Sequence, residues 1–107
     1  MACMSAQKQL LIMRHAKSSW ADRSMRDFDR PLNGRGKRAA PRMASWLEEN
    51  GAVPELIISS AANRAQSTAK LLTENFQEEV RVEIVEEFYL ASPIVYLEML
   101  ALSLIHI

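Results

Sequence analysis

Three short apolar runs punctuate this chain: QLLIM at residues 9–13, LIIS at 56–59 and VRVEIV at 80–85. Each is too short for a buried helix, and the stretches between them are long enough to hold one crossover helix apiece, so the pattern reads as strands alternating with helices. The first run has no 3.6-residue periodicity and suits a strand buried on both faces of a parallel sheet. The third alternates, with Val80, Val82 and Ile84 on one face.

Between the first two runs, residues 33–50 predict a helix. Asn33 is a suitable N-cap, Ala39, Met43, Trp46 and Leu47 form an apolar stripe, and Gly51 provides the stop. Pro41 falls inside this span, so the regular helix is expected to begin near it, after a looser turn. A second helix carries Ala62, Ala65, Ala69, Leu72 and Phe76, and a third starts at Pro93 and runs through Tyr96, Leu97, Leu100 and Ala101. The order β-α-β-α-β-α predicts an α/β, three-layer sandwich with a mostly parallel sheet and right-handed crossovers.

At 107 residues and 49% hydrophobic, the chain is one domain with enough apolar content to fold. Cys3 is its single cysteine, which excludes an intrachain disulfide and fits a reducing compartment. Residues 1–8 are expected to be disordered and lack the apolar core of a signal peptide; no later run approaches membrane-spanning length. The expectation is a cytoplasmic protein with no membrane partner.

The net charge of zero hides an imbalance. Residues 1–42 hold ten Lys or Arg against Asp22, Asp27 and Asp29, a net of +7 that the remainder offsets. Such a half suits an anionic ligand, phosphate or nucleic acid, although solvated helix faces give the same bias. A nucleic-acid surface would interleave its cations with stacking aromatics, and this one does not, so no nucleic-acid partner is expected.

The chemistry concentrates where the first run ends. Arg14-His15 follows it directly, and the polar loop 16–31 that comes next is of a length usually reserved for function. Ligands bind beyond the carboxyl ends of parallel strands, and the second run also ends there, at Ser59-Ser60, before a helix whose first turn carries Arg64. His15, Arg14 and Arg64 therefore converge on one rim in this reading. Two arginines beside a helix N-terminus form a phosphate site, and a neutral imidazole has a lone pair with which to attack phosphorus.

The segments LIMRHAKSSW, DFDRPLNGRGKRAAPRMASWL, PELIISSAANRAQSTAKLL and EEFYLASP together resemble the histidine phosphatase superfamily, in particular its SixA-type phosphohistidine phosphatases. The resemblance implies a phosphoglycerate mutase-like fold with His15 as the nucleophile and Arg14 and Arg64 as the phosphate clamp. Lys17 and Ser18 become candidate phosphate contacts, and Glu86 or its neighbour Glu87 a candidate acid. It implies no metal and no organic cofactor. The implied substrate is a phosphorylated protein histidine; a small phosphoester is the alternative, as is a phosphate-binding module without catalysis. The oligomeric state stays open. One departure falls in the second arginine motif, here Arg64-Ala65-Gln66-Ser67-Thr68-Ala69, where Ser67 takes the place of the family's Gln.

The resemblance also implies a second catalytic histidine further along. His106 is the other histidine, but LSLIHI does not resemble the expected motif. A transposase adapter used in sequencing libraries encodes that same hexapeptide, so residues 102–107 read as a non-native tail and the domain as incomplete at its C-terminus. On that expectation this particular chain turns over weakly or not at all.

Overall fold

The computed structural model describes residues 10–90, 92–94 and 98. Helix α1 (Gly34–Glu49), strand β1 (Leu56–Ser60), helix α2 (Asn63–Asn75) and strand β2 (Arg81–Val85) follow one another, with short 3-10 turns at Asp27–Asp29 and Glu86–Phe88. The strands pair in parallel, Leu56 opposite Arg81 and Ser60 opposite Val85, with α2 as the crossover. This is the expected α/β class. Pro93 and Ile94 are helical, whereas Tyr96, Leu97, Leu100, Ala101, the N-terminal segment 1–8 and the tail 102–107 lie outside the described residues.

Local chemistry sets both ends of α1. The Asn33 side chain accepts from the Gly36 amide at 2.8 Å, satisfying one of the donors a helix start leaves free. At the other end Gly51 adopts φ +62°, its amide donates to Glu48 and that of Ala52 to Leu47. That pair of bonds is a Schellman stop, which a glycine accommodates without strain. The helix runs unbroken through Pro41, contrary to the expected late start. The Asn33 cap sets the helix start upstream, and the helix tolerates Pro41 at the cost of the missing amide bond and crowding against the carbonyl one turn earlier.

The buried face of α1 also differs from the expected stripe. Gly36, Ala40, Ala44 and Leu47 face inward, while Ala39, Met43 and Trp46 are exposed. Close approach selects small side chains on the inner face, and the larger apolar residues are displaced to the outer one. Ala44 and Leu47 meet Leu72, Phe76 and Val80 in a core flanked by Ala52, Val53 and Ile57. Burying each large member of this cluster contributes on the order of 1.5–3 kcal/mol.

Two strand expectations need correction. Residues 10–13 pair with no strand among the described residues and are exposed, Ile12 to 89%. Apolar character marks a segment that can be buried but does not supply a hydrogen-bonded neighbour, and β1 and β2 pair with each other. In β2 the predicted Val80, Val82, Ile84 face is only partly covered, since Ile84 is 44% exposed while Val80 and Val85 are buried. Among the described residues β2 has one neighbour, and within the strand only Val85, at its C-terminal end, is buried.

Candidate active site

The loop after His15 is held without a first strand. Backbone bonds run from Ser19 N–H to the Pro31 carbonyl at 2.8 Å and from Asn33 N–H to the Lys17 carbonyl at 2.9 Å, around a single antiparallel bridge between Ser18 and Leu32. This clasp closes the loop 18–31 at its base. It also lays the Lys17 backbone against α1 at Gly36, where an added Cβ would stand 2.3 Å from the Lys17 carbonyl oxygen. No side chain fits there, which accounts for the glycine of the Arg35-Gly36 pair.

From this clasp the histidine is presented. His15 is half-buried, and its Nδ1 lies 2.7 Å from the Ala16 carbonyl oxygen. A carbonyl can only accept, so Nδ1 carries the proton and Nε2 of the neutral ring keeps its lone pair. The next amide, of Ala16, donates at 3.0 Å to Thr68 Oγ1, which itself donates to the Arg64 carbonyl at 2.7 Å. One threonine thus ties the histidine loop to the first turns of α2, where Arg64 begins its reach into the site.

Arg64 is 9% exposed and gripped by Asp27: Nη1 donates to the Asp27 carbonyl at 2.8 Å and Nη2 to the carboxylate at 3.0 Å. Asp27 also accepts from Arg30 Nη1 at 3.0 Å and from the Tyr89 hydroxyl at 2.7 Å. These donors hold the Asp27 carboxyl at a pKa of about 2, the Tyr89 hydroxyl contributing most, then Arg64 and Arg30, while the same bond pushes the Tyr89 phenol up. Asp27 therefore stays ionised and cannot supply a proton. Tyr89 is braced by Phe28, whose ring meets it edge-on at 5.0 Å.

Arg30 completes the cluster. Its side chain is buried, donating from Nε to the Ser19 carbonyl at 3.0 Å and from Nη2 to Ser18 Oγ, while the guanidinium lies over the Trp20 ring. Asn63 at the head of α2 donates to the Asp29 carbonyl at 3.0 Å and accepts from Ser67, so the departing Ser67 serves the anchoring of this loop.

These residues border one cavity of about 420 Å³, lined by Arg14, His15, Ala16, Lys17, Ser18, Trp20, Arg30 and Arg64. Every expected clamp residue is brought together there. Glu86 is not: it is exposed at the start of the second 3-10 turn, whose neighbouring Tyr89, rather than either glutamate, reaches the site through Asp27. His106 lies outside the described residues. A second cleft of similar volume, between α2 and β2, has Lys70 but no histidine or arginine in its lining.

Sequence reading gave no role to Asp27, Arg30, Trp20, Thr68 and Tyr89, although all five fall within the segments that resemble the family. The spacing of Asp27 and Arg30 was a usable signal, an acid and a base three residues apart beside a proline; the contacts of Tyr89 and Thr68 span 62 and 52 residues and leave no local trace. Among the described residues, no three His, Cys, Asp or Glu side chains are grouped so as to hold a metal ion. No described helix is long and apolar enough to cross a membrane.

Comparison with known proteins bears on this site. The sequence pattern of the histidine phosphatase superfamily (branch 1) matches residues 10–89. An uncharacterized chloroplast protein of Arabidopsis thaliana is 40% identical over 88 residues, which make up 79% of this chain and 40% of that protein. A crystal structure assigned as the phosphohistidine phosphatase SixA of Agrobacterium tumefaciens superposes with a TM-score of 0.76 at 35% identity, covering 83% of this chain and 57% of that one. A protein histidine phosphatase SixA complexed with tungstate superposes at 0.72 and shares the fold at 22% identity, over 86% of this chain and 58% of its own. The chain thus spans well under two thirds of the length of these relatives.

Proposed function

This chain belongs to the histidine phosphatase superfamily, and from that premise we propose that the protein is a phosphohistidine phosphatase acting through a phosphorylated His15. The observation that carries the reading is the orientation of the imidazole. With Nδ1 committed to the Ala16 carbonyl, Nε2 is the nucleophilic nitrogen, in a cavity that also holds three arginines.

In the first step Nε2 attacks phosphorus, forming a new P–N bond as the bond to the leaving group breaks. Charge on the equatorial oxygens is offset by Arg14 and Arg64, with Lys17 and Ser18 as further contacts. When the leaving group is an imidazole already protonated on its other nitrogen, it departs neutral and needs no acid. This chemistry accords with a cavity whose described lining has no carboxylate. In the second step water attacks phosphorus, the bond to Nε2 breaks, inorganic phosphate leaves and His15 returns to its starting state. Asp27 lies outside the cavity lining and acts by positioning Arg64, and Arg30, which lines the cavity, also holds Asp27.

The reading is tested with a histidine-phosphorylated protein as substrate and enzyme in excess, followed by loss of phosphohistidine in the 31P spectrum. Slow release of phosphate within a single turnover by the unaltered chain, and none by His15→Ala, is the expected result. Equal release by both removes His15 from the reaction.

A further inference from the structure

Trp20 is the residue at this site that the fold does not need. It is 70% exposed, so it contributes little to the core, yet it lines the cavity that holds His15. Its position is nonetheless fixed. The guanidinium carbon of Arg30 lies 3.2 Å from the centroid of the indole ring, and Arg30 is itself buried and held by Ser18, Ser19 and Asp27. A cation seated on an aromatic face is attracted by the ring quadrupole, and here the cation cannot drift because three acceptors retain it. One face of the indole is therefore covered from behind. The accessible surface is its other face and edge.

We propose that this open face of Trp20 is a specificity platform that stacks on a planar aromatic ring attached to the transferred phosphoryl group, the imidazole of phosphohistidine being the biological case. The inference rests on the phosphohistidine reading above and deepens it, because it gives the leaving group a binding surface distinct from the phosphate clamp. A rigid aromatic plate is suited to the task. It offers large contact area at small entropic cost, and stacking discriminates by flatness rather than by hydrogen-bond pattern. An aliphatic phosphoester would leave the plate unused. The phosphate clamp and the plate thereby separate two recognitions, one for the phosphoryl group through Arg14 and Arg64 and one for what it leaves behind.

The test compares phenylphosphonate and methylphosphonate, which share a phosphoryl-like head and differ in the ring, binding to the unaltered chain, Trp20→Ala and Trp20→Phe by calorimetry. The unaltered chain is expected to bind phenylphosphonate about tenfold more tightly, the order that one aromatic stacking pair contributes. Trp20→Ala is expected to lose that preference while still binding methylphosphonate, and Trp20→Phe to keep most of it. Retention of methylphosphonate binding also shows that Trp20→Ala has left the site folded. An undiminished preference in Trp20→Ala, or equal weakening of both phosphonates, overturns the platform and leaves the phosphatase reading standing. Failure of the unaltered chain to bind either phosphonate overturns the phosphate site itself, and the platform with it.

Discussion

One residue, Asp27, binds the guanidinium of Arg64 twice, through its backbone carbonyl at 2.8 Å and its carboxylate at 3.0 Å, across 37 residues of sequence. A buried arginine at a phosphate site carries a cost when unpaired, because its charge is removed from water before the ligand arrives. Asp27 offsets that cost and fixes the fork of donors in place. Tyr89 and Arg30 hold Asp27 in turn, so the clamp is organised from three directions before any phosphate enters.

The first prediction concerns acid. Asp27 has its folded pKa depressed to about 2, below the unfolded value of about 3.9, so its contribution to stability is fully present above the unfolded value. It is lost as pH falls through the folded value. Asp27→Asn should therefore be less stable than the unaltered chain at pH 6, and the gap should close as pH approaches 2. Thermal melts of both proteins across that range provide the check; a gap that is constant with pH would show that the carboxylate's charge is irrelevant to the clamp.

Gly36→Ala should be among the most damaging changes on the buried face of α1. The new Cβ would stand 2.3 Å from the Lys17 carbonyl oxygen and 2.9 Å from its nitrogen, and both are backbone atoms that cannot turn aside. A loss of about 1–3 kcal/mol, the usual range for overpacking, is expected together with weakened phosphate binding. Chemical denaturation and phosphate titration measure the two. Full stability with intact binding would mean that the loop yields more easily than the clasp 17–19 to 31–33 implies.

Thr68→Val preserves shape and removes a hydroxyl that joins Ala16 to Arg64. The half-buried Ala16 amide would lose its partner, at a cost of about 1–3 kcal/mol. Because Thr68 tethers the His15 loop from outside the cavity lining, kcat should fall more than KM rises. Thr68→Ser, which keeps the hydroxyl, should recover most of the rate.

Much of this architecture was legible in the sequence where the signals are local. Asn33 and Gly51 marked the ends of α1 because caps act over three or four residues, and the parallel pairing of β1 with β2 followed from the helix between them. The inner face of α1 was misread because hydrophobicity ranks Met43 and Trp46 above Gly36, Ala40 and Ala44, whereas close packing against the loop and α2 ranks by size. The strand at residues 10–13 was misread because an apolar run does not name its partner. At the site, Arg14, His15, Lys17, Ser18 and Arg64, the residues expected from the sequence, line one cavity. Asp27 and Tyr89 were not expected, since what makes them matter is a set of contacts from the loop to α2 and to the turn after β2.

The central claim is that His15 carries the phosphoryl group. Its most direct measurement is to mix the protein with a phosphohistidine substrate labelled with 32P, quench in alkali within milliseconds, and map the label by mass spectrometry. The account predicts an acid-labile, alkali-stable label on His15 that is absent in His15→Ala and builds up transiently before phosphate is released. Phosphate release with no labelled histidine at any time, or a label on another residue, would contradict it.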